Sequence, residues 1–310
     1  MPRGSPRVAI LPSTTDEIER AVGEGGGSVV DIADADSLVW TDPRNPHELA
    51  QLLENSDVEW VQLPFAGIES FFDADVIDPN LTWTCAKGIY GPACAEHAVA
   101  LMLAAARRIH VHTRAKSWSR LGLDSPEYRL EDRTVVVVGT GGIGTALVPM
   151  VEPLGMRVIG VNRSGRALEG AERTVVVGQL ESVLPEADFV VVAAAHTEAT
   201  HHLFDKAKLS AMKSDAWIVN VARGGLIDTG ALVAALEAED IGGAALDVTV
   251  PEPLPDGHPL WGLDNCLITP HVANTWVMGL AELPHLVRRN VAARGAGKQL
   301  EGLVDPELGY

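Results

Sequence analysis

Cysteine is scarce in this chain. Its three residues, Cys85, Cys94 and Cys266, are odd in number, widely spaced and never paired as C-x-x-C. That excludes a disulfide framework, gives no reason to expect a metal site, and points to a reducing compartment. Long hydrophobic runs are also missing: the longest uninterrupted apolar segment, Ala98 to Ala106, reaches about half of the ~18 residues that span a bilayer. The opening "MPRGSPRVAILP" passes into a strand-like segment without the pattern of a secretory leader, so a cytoplasmic protein with no membrane partner is expected. Basic residues are outnumbered, 24 Lys and Arg against 42 Asp and Glu, for a net charge of −18. Such a surface repels polyanions, which excludes nucleic acid as a partner of the surface as a whole. A small anionic ligand would need a locally placed cation. Internal repeats and low-complexity tracts are absent as well.

What is present is apolar residue in quantity, 46% of 310 residues, enough for two domains with real cores. Strand-like runs alternate with helical patterns almost throughout, which predicts parallel sheets built from βαβ units. Among the first ninety residues "RVAILP", "VEWVQLP" and "LTWTCAKG" read as strands. Thr14 with Glu17 reads as a capping box opening one helix, and Asn45 with Pro46 opens another. The segment "YGPACAEHAVALMLAAARRIHVHTRAK" reads as a helix that is apolar on most of its circumference and so is buried between neighbours. From Thr134 the pattern restarts with seven strand candidates, "TVVVVG", "RVIGV", "RTVVV", "DFVVVAAA", "AWIVNVA", "IGGAALDV" and "NCLITP". The expected fold class is α/β with two doubly wound parallel-sheet domains. A Rossmann dinucleotide-binding domain, residues 93–275, is inserted in a discontinuous, flavodoxin-like substrate domain, residues 1–92 plus 276–310. The helical segment "ANTWVMGLAELPHLVRRNVAARGAGKQL" returns to the latter.

The phosphate fingerprint lies in "VVVVGTGGIG". Four valines end in Gly139, Gly141 and Gly144 follow at the G-x-G-x-x-G spacing, and Gly142 and Ile143 open the helix whose N-terminus would face a pyrophosphate. Pro149 and Pro153 predict that this helix is kinked or shortened near its end. The next strand ends 17 residues beyond Gly144, where an NAD site carries an acid for the ribose hydroxyls; here stand Asn162, Arg163 and Ser164. A guanidinium and a hydroxyl suit a 2′-phosphate, so NADP(H) is expected as the preferred cofactor and NAD(H) as the second choice.

Three further stretches each place a reactive group at the predicted carboxyl end of a strand. They are "VNVARGGLID" with Arg223, "ALDVTVPEPLPDGHPLW" with Asp247 and Glu252, and "CLITPHVANT" with His271. Ligands of open parallel sheets bind at that edge, so the groups are expected to converge on the nicotinamide. An arginine can bind a substrate carboxylate, a histidine can pass a proton to or from an oxygen, and a carboxylate can orient the imidazole and favour its charged form.

Together "GTGGIG", "VNVARGGLID", "ALDVTVPEPLPDGHPLW" and "TPHVANT" resemble the D-isomer-specific 2-hydroxyacid dehydrogenases, in order and spacing, over roughly residues 60–280. The resemblance implies that Arg223, Glu252 and His271 are the catalytic set. It implies that the amides of Ala66 and Gly67 in "FAGIE" receive the substrate carboxylate, that Asp247 holds the nicotinamide carboxamide, and that Ala222 lies beside the cofactor. The substrate is then a small anionic 2-oxo or 2-hydroxy acid, and the assembly a homodimer formed partly through the helix after "GPACAEHA", with Trp118 near the partner. Arg163 and Ser164 after Asn162 resemble the NADPH-using glyoxylate and hydroxypyruvate reductases. Two rival readings are an NAD(H)-sensing corepressor-like regulator and an NAD-linked phosphoglycerate-type dehydrogenase. One departure stands out: where the family has Pro-Leu-Thr after its fourth cofactor-domain strand, this chain has Ala195, His196 and Thr197.

Overall fold

The structure is a computed structural model that describes residues 4–118 and 127–306, apart from the side chains of Trp276 and Leu280. The chain divides into two compact units, one comprising Met1–Tyr90 with Thr275–Tyr310, the other Gly91–Asn274. No helix among the described residues is long and apolar enough to cross a membrane.

The first unit carries strands β1 (Arg7–Leu11), β2 (Ser28–Val29), β3 (Ser37–Trp40), β4 (Trp60–Gln62) and β5 (Thr82–Thr84). They form one parallel sheet in the order β2-β1-β3-β4-β5, the flavodoxin-like arrangement. The central strand β3 reads Ser-Leu-Val-Trp and is buried at every position, because helices cover both faces of the sheet. On one face α1 (Asp16–Glu24) and α10 (Trp276–Gly295) pack together. Leu283, Val287 and Val291, four residues apart, meet Val8, Ile18, Val22 and Trp60 there. The other face seats Leu38, Trp40, Val61 and Trp83 against α2 (Pro46–Leu53) and α3 (Glu69–Asp73), through Leu49 and Phe71. The cap of α1 is one residue later than expected. Thr15, not Thr14, has the extended backbone of an N-cap and accepts the Ile18 amide, which leaves Asp16 and Glu17 in the first turn, where the helix dipole favours acids.

The second unit carries β6 (Thr134–Val138), β7 (Arg157–Asn162), β8 (Arg173–Val176), β9 (Phe189–Val192), β10 (Trp217–Asn220), β11 (Gly243–Leu246) and β12 (Cys266–Ile268). All seven expected strands form, in one parallel sheet ordered β12-β11-β10-β9-β6-β7-β8. Its direction of growth reverses between β6 and β9, the switch point at which doubly wound sheets open a crevice. The flanking helices are α4 (Gly91–Ala106), α5 (Ile109–Arg114), α6 (Gly142–Val151), α7 (Leu180–Val183), α8 (Lys206–Ser210) and α9 (Thr229–Glu237). The apolar helix α4 is shorter than the sequence pattern suggested. It ends at Ala106, and Arg108 adopts a left-handed backbone before α5 begins. Helix α6 passes through Pro149 and stops at Val151, and Pro153 lies in a separate tight turn, the shortening that the prolines predict.

Candidate active site

The glycine turn between β6 and α6 is built for close backbone approach. Gly139 has φ +102°, and a Cβ there would lie 2.5 Å from the Ala193 carbonyl, so only glycine lets β6 turn against the end of β9. A Cβ on Gly144 would lie 2.3 Å from the Gly139 oxygen, so the third glycine lets α6 sit down on the turn. Gly141 differs: nothing stands within 4 Å of its Cβ position, and it is the N-cap of α6. Exposed Gly141 and Gly142 at a helix N-terminus leave bare amides and a positive dipole end, which fit a pyrophosphate. Ile143 is half-buried against the core of this unit, and Gly144 is buried.

At the end of β7 the Asn162 side chain is occupied by its own loop. Its Nδ2 donates to Thr140 Oγ1 and to the Arg166 carbonyl, both at 2.8 Å, while its Oδ1 accepts the amides of Ser164 (3.1 Å) and Gly165 (2.6 Å). Asn162 therefore ties the Arg163–Ser164 loop to the glycine turn; Arg163 and Ser164 are both exposed, and the Ser164 hydroxyl accepts the Arg166 amide at 3.3 Å.

Three neighbouring strands carry the reactive side chains. After β10, buried Asn220 folds the chain back, accepting the Ala222 amide and donating to the Arg223 carbonyl. Ala222 is 7% exposed, and Arg223 Nη1 donates to its carbonyl. Gly224 then abuts the loop after β11 so closely that a Cβ would come within 2.2 Å of the Thr249 carbonyl. The Thr249 amide donates to Glu252 Oε2 at 3.4 Å, and Glu252 Oε1 meets His271 Nδ1 at 2.5 Å. The structure thus brings Glu252 and His271 into direct contact, both partly exposed, and puts Arg223 on the adjoining loop. With Nδ1 committed to a carboxylate, Nε2 is the imidazole nitrogen left for a ligand.

Asp247, at the end of β11, is held by several protein donors. Its side chain is 1% exposed. Oδ1 accepts from Thr269 Oγ1 (2.6 Å) and the Val272 amide (2.9 Å), and Oδ2 accepts the Ala273 amide (2.9 Å). Burial alone would raise its carboxyl, but these bonds, with His97, outweigh burial and hold it down at about 2. The carboxylate serves the loop that carries His271. Cys94 of α4 feels both Asp247 and Arg223, but burial pushes its thiol up to about 11, so it is no nucleophile. No cluster of metal-ligating side chains occurs among the described residues.

In the first unit, the loop after β4 holds the exposed Ala66 and half-buried Gly67. The loop is fastened by the Phe65 carbonyl, which accepts the Ala86 amide, and by Tyr90 Oη, which donates to the Pro64 carbonyl. The unexpected His196 lies against Gly225, where a Cβ would be 2.6 Å from its Nε2, and that nitrogen meets His201 Nδ1 at 3.1 Å. Sequence reasoning missed His97 and Thr269, which touch each other and Asp247. The only local sign was the position of Thr269 two residues before His271.

Comparisons with known proteins agree with this geometry. The NAD-binding domain of the D-isomer specific 2-hydroxyacid dehydrogenases matches residues 99–273. An uncharacterized protein in the proB 3′ region of Corynebacterium melassecola is 42% identical over 301 residues, 95% of this chain and 97% of that protein. A glyoxylate reductase of Pyrococcus furiosus is 35% identical over 224 residues, 70% of this chain and 66% of that protein. Among solved structures, a D-isomer specific 2-hydroxyacid dehydrogenase from Xanthobacter autotrophicus Py2, in complex with NADPH and MES, superposes with a TM-score of 0.83 at 26% identity, covering 99% of this chain and all of that one. A nucleotide turn at the switch point, a carboxylate–imidazole pair at the same sheet edge and a family match over more than half its length place this chain among the D-isomer-specific 2-hydroxyacid dehydrogenases, NAD(P)-dependent oxidoreductases.

Proposed function

We propose that this protein reduces a short 2-oxo acid of the glyoxylate or hydroxypyruvate type to the D-2-hydroxy acid, with NADPH preferred over NADH. The observation that carries the proposal is the His271 Nδ1 to Glu252 Oε1 contact of 2.5 Å at the carboxyl edge of the nucleotide-binding sheet. The relatedness to glyoxylate reductases supports the substrate class.

Each step falls to a named group. The glycine turn and the N-terminus of α6 receive the pyrophosphate, and Arg163 with Ser164 receives the 2′-phosphate. Ala222, whose amide is held by Asn220, is assigned to the nucleotide site with the Arg223 loop. The bound nicotinamide supplies the hydride. Arg223 binds the substrate carboxylate in bidentate fashion, and the backbone amides of Ala66 and Gly67 are assigned as donors to a carboxylate. His271, protonated on both ring nitrogens, gives the Nε2 proton to the substrate oxygen as negative charge develops there. Glu252 accepts Nδ1–H, which fixes the ring orientation and stabilises the imidazolium before transfer. Asp247 keeps the His271 loop in place.

We further assign the described α4–α5 face to a homodimer, supported by Trp118 at 93% exposure beyond the end of α5. Steady-state rates on a panel of 2-oxo acids with both cofactors test the main proposal. Robust NADPH-linked turnover of glyoxylate or hydroxypyruvate is expected. Tight nucleotide binding without turnover of any panel member would overturn it.

A further inference from the structure

His271 stands on an unusual backbone. Its φ is +53°, the left-handed region that side chains other than glycine rarely adopt, so the conformation persists only if its surroundings impose it. The surroundings do so from both sides. The His271 amide donates to the carbonyls of Asp247 (2.8 Å) and Thr269 (3.0 Å), and the next two amides, Val272 and Ala273, are clamped by the Asp247 carboxylate at 2.9 Å each. The orientation of the imidazole therefore depends on where the Asp247 carboxylate points.

That carboxylate is itself aimed by a helix far away in sequence. Thr269 Oγ1 has a single proton, and Asp247 Oδ1, an ionised oxygen at 2.6 Å, can only accept it. The Thr269 oxygen must then act as acceptor toward its other neighbour, His97 Nε2 of α4 at 2.9 Å, so His97 carries its proton on Nε2. The same Nε2 lies 3.3 Å from Asp247 Oδ1. One imidazole N–H is thus shared between the hydroxyl and the carboxylate that together hold the His271 loop.

We propose that His97 is a positioning residue for the reaction: its Nε2–H orients the Thr269–Asp247 pair, and through that pair the left-handed turn that aims His271. His97 touches neither substrate nor cofactor in this role. The consequence for turnover rests on the assignment of His271 as the acid; the consequence for the loop does not.

His97→Leu removes the donor, whereas His97→Gln keeps an N–H at nearly the same reach. In the protein without nucleotide, hydrogen exchange at Val272 and Ala273 is expected to quicken by about tenfold or more in His97→Leu and to return to within about threefold of the parent in His97→Gln. With NADPH and glyoxylate, kcat of His97→Leu should fall by about 10- to 100-fold while KM moves less than about threefold, and His97→Gln should recover most of the loss. A role in packing alone would not distinguish leucine from glutamine in this way. Parent-like exchange and kcat in His97→Leu, or a His97→Gln as impaired as His97→Leu, would overturn the proposal. Should His97→Leu not fold, Thr269→Val breaks the same chain of bonds, and unchanged exchange at Val272 and Ala273 in that variant would overturn it equally. If instead His271→Ala kept normal turnover while His97→Leu freed the two amides, the acid assignment would fall and the positioning of the loop by His97 would stand.

Discussion

The five-stranded and seven-stranded sheets are both parallel, both covered by helices on their two faces, and both reverse their direction of growth once. Their carboxyl edges nevertheless differ. In the first unit the sheet edge runs into a buried polar network: Gln62 Oε1 accepts from Thr84 and from Asn290 of α10, and Trp60 Nε1 donates to Thr84. Every one of these groups is satisfied within the protein. In the second unit the edge carries bare glycine amides at one strand and Arg223, Glu252 and His271 beyond three others. The same layer architecture thus ties strand side chains to a helix in one case and carries reactive side chains on the loops beyond its strands in the other.

The sharpest way to break this comparison is to remove the acid. His271→Ala should lower kcat by about 100- to 10,000-fold with nucleotide affinity nearly unchanged, checked by steady-state kinetics beside a fluorescence titration with NADPH. Near-normal turnover would leave the second edge without its assigned chemistry. Next in size is Asp247. Its carboxyl is held at about 2 in place of 3.8, which corresponds to about 2 kcal/mol of stability. Because the folded value is the lower one, that stability is fully present above about pH 4 and fades as pH falls toward 2. Urea unfolding of Asp247→Asn should therefore show its deficit at neutral pH and a shrinking deficit on acidification; a deficit independent of pH would contradict the account of the loop.

In the first unit, Thr84→Val leaves Trp60 Nε1 without its acceptor. It should cost about 1–3 kcal/mol in stability and leave kcat within about threefold, so a large loss of turnover there would blur the distinction between the two edges. Arg163→Asp should shift the NADPH-to-NADH ratio of kcat/KM by at least about tenfold toward NADH, since a hydrogen bond to a charged group is exchanged for repulsion. The smallest effect is expected at Gly141. With nothing within 4 Å of its Cβ position, Gly141→Ala should leave the unfolding temperature almost unmoved while weakening NADPH binding by a few-fold to about tenfold. A cost in stability instead would show that the protein, not the nucleotide, needs this glycine.

Much of the second unit was legible beforehand, because β6, β7 and β10 are runs rich in β-branched residues closed by glycine or asparagine, and its glycine turn is a local pattern. The first unit was less so. Strand β3, four residues between acidic turns, was not anticipated, since a strand buried on both faces has no alternation to betray it, and β2, two exposed residues, is too short to carry a pattern. That the Asn162 amide ties its own loop to the glycine turn was not legible, since it depends on how that loop folds back.

The sequence by itself determined the alternation of strand and helix, the place of the phosphate turn and which side chains could do chemistry, because these depend on neighbours within a few residues. The tertiary structure alone decided that the Asp247 carboxylate clamps the loop after His271, that His271 rests on a left-handed backbone, and that His97 reaches Thr269 across 172 positions. Those facts depend on how strands separated along the chain line up in one sheet, where hydrogen bonds are satisfied by whichever groups packing brings within 3 Å.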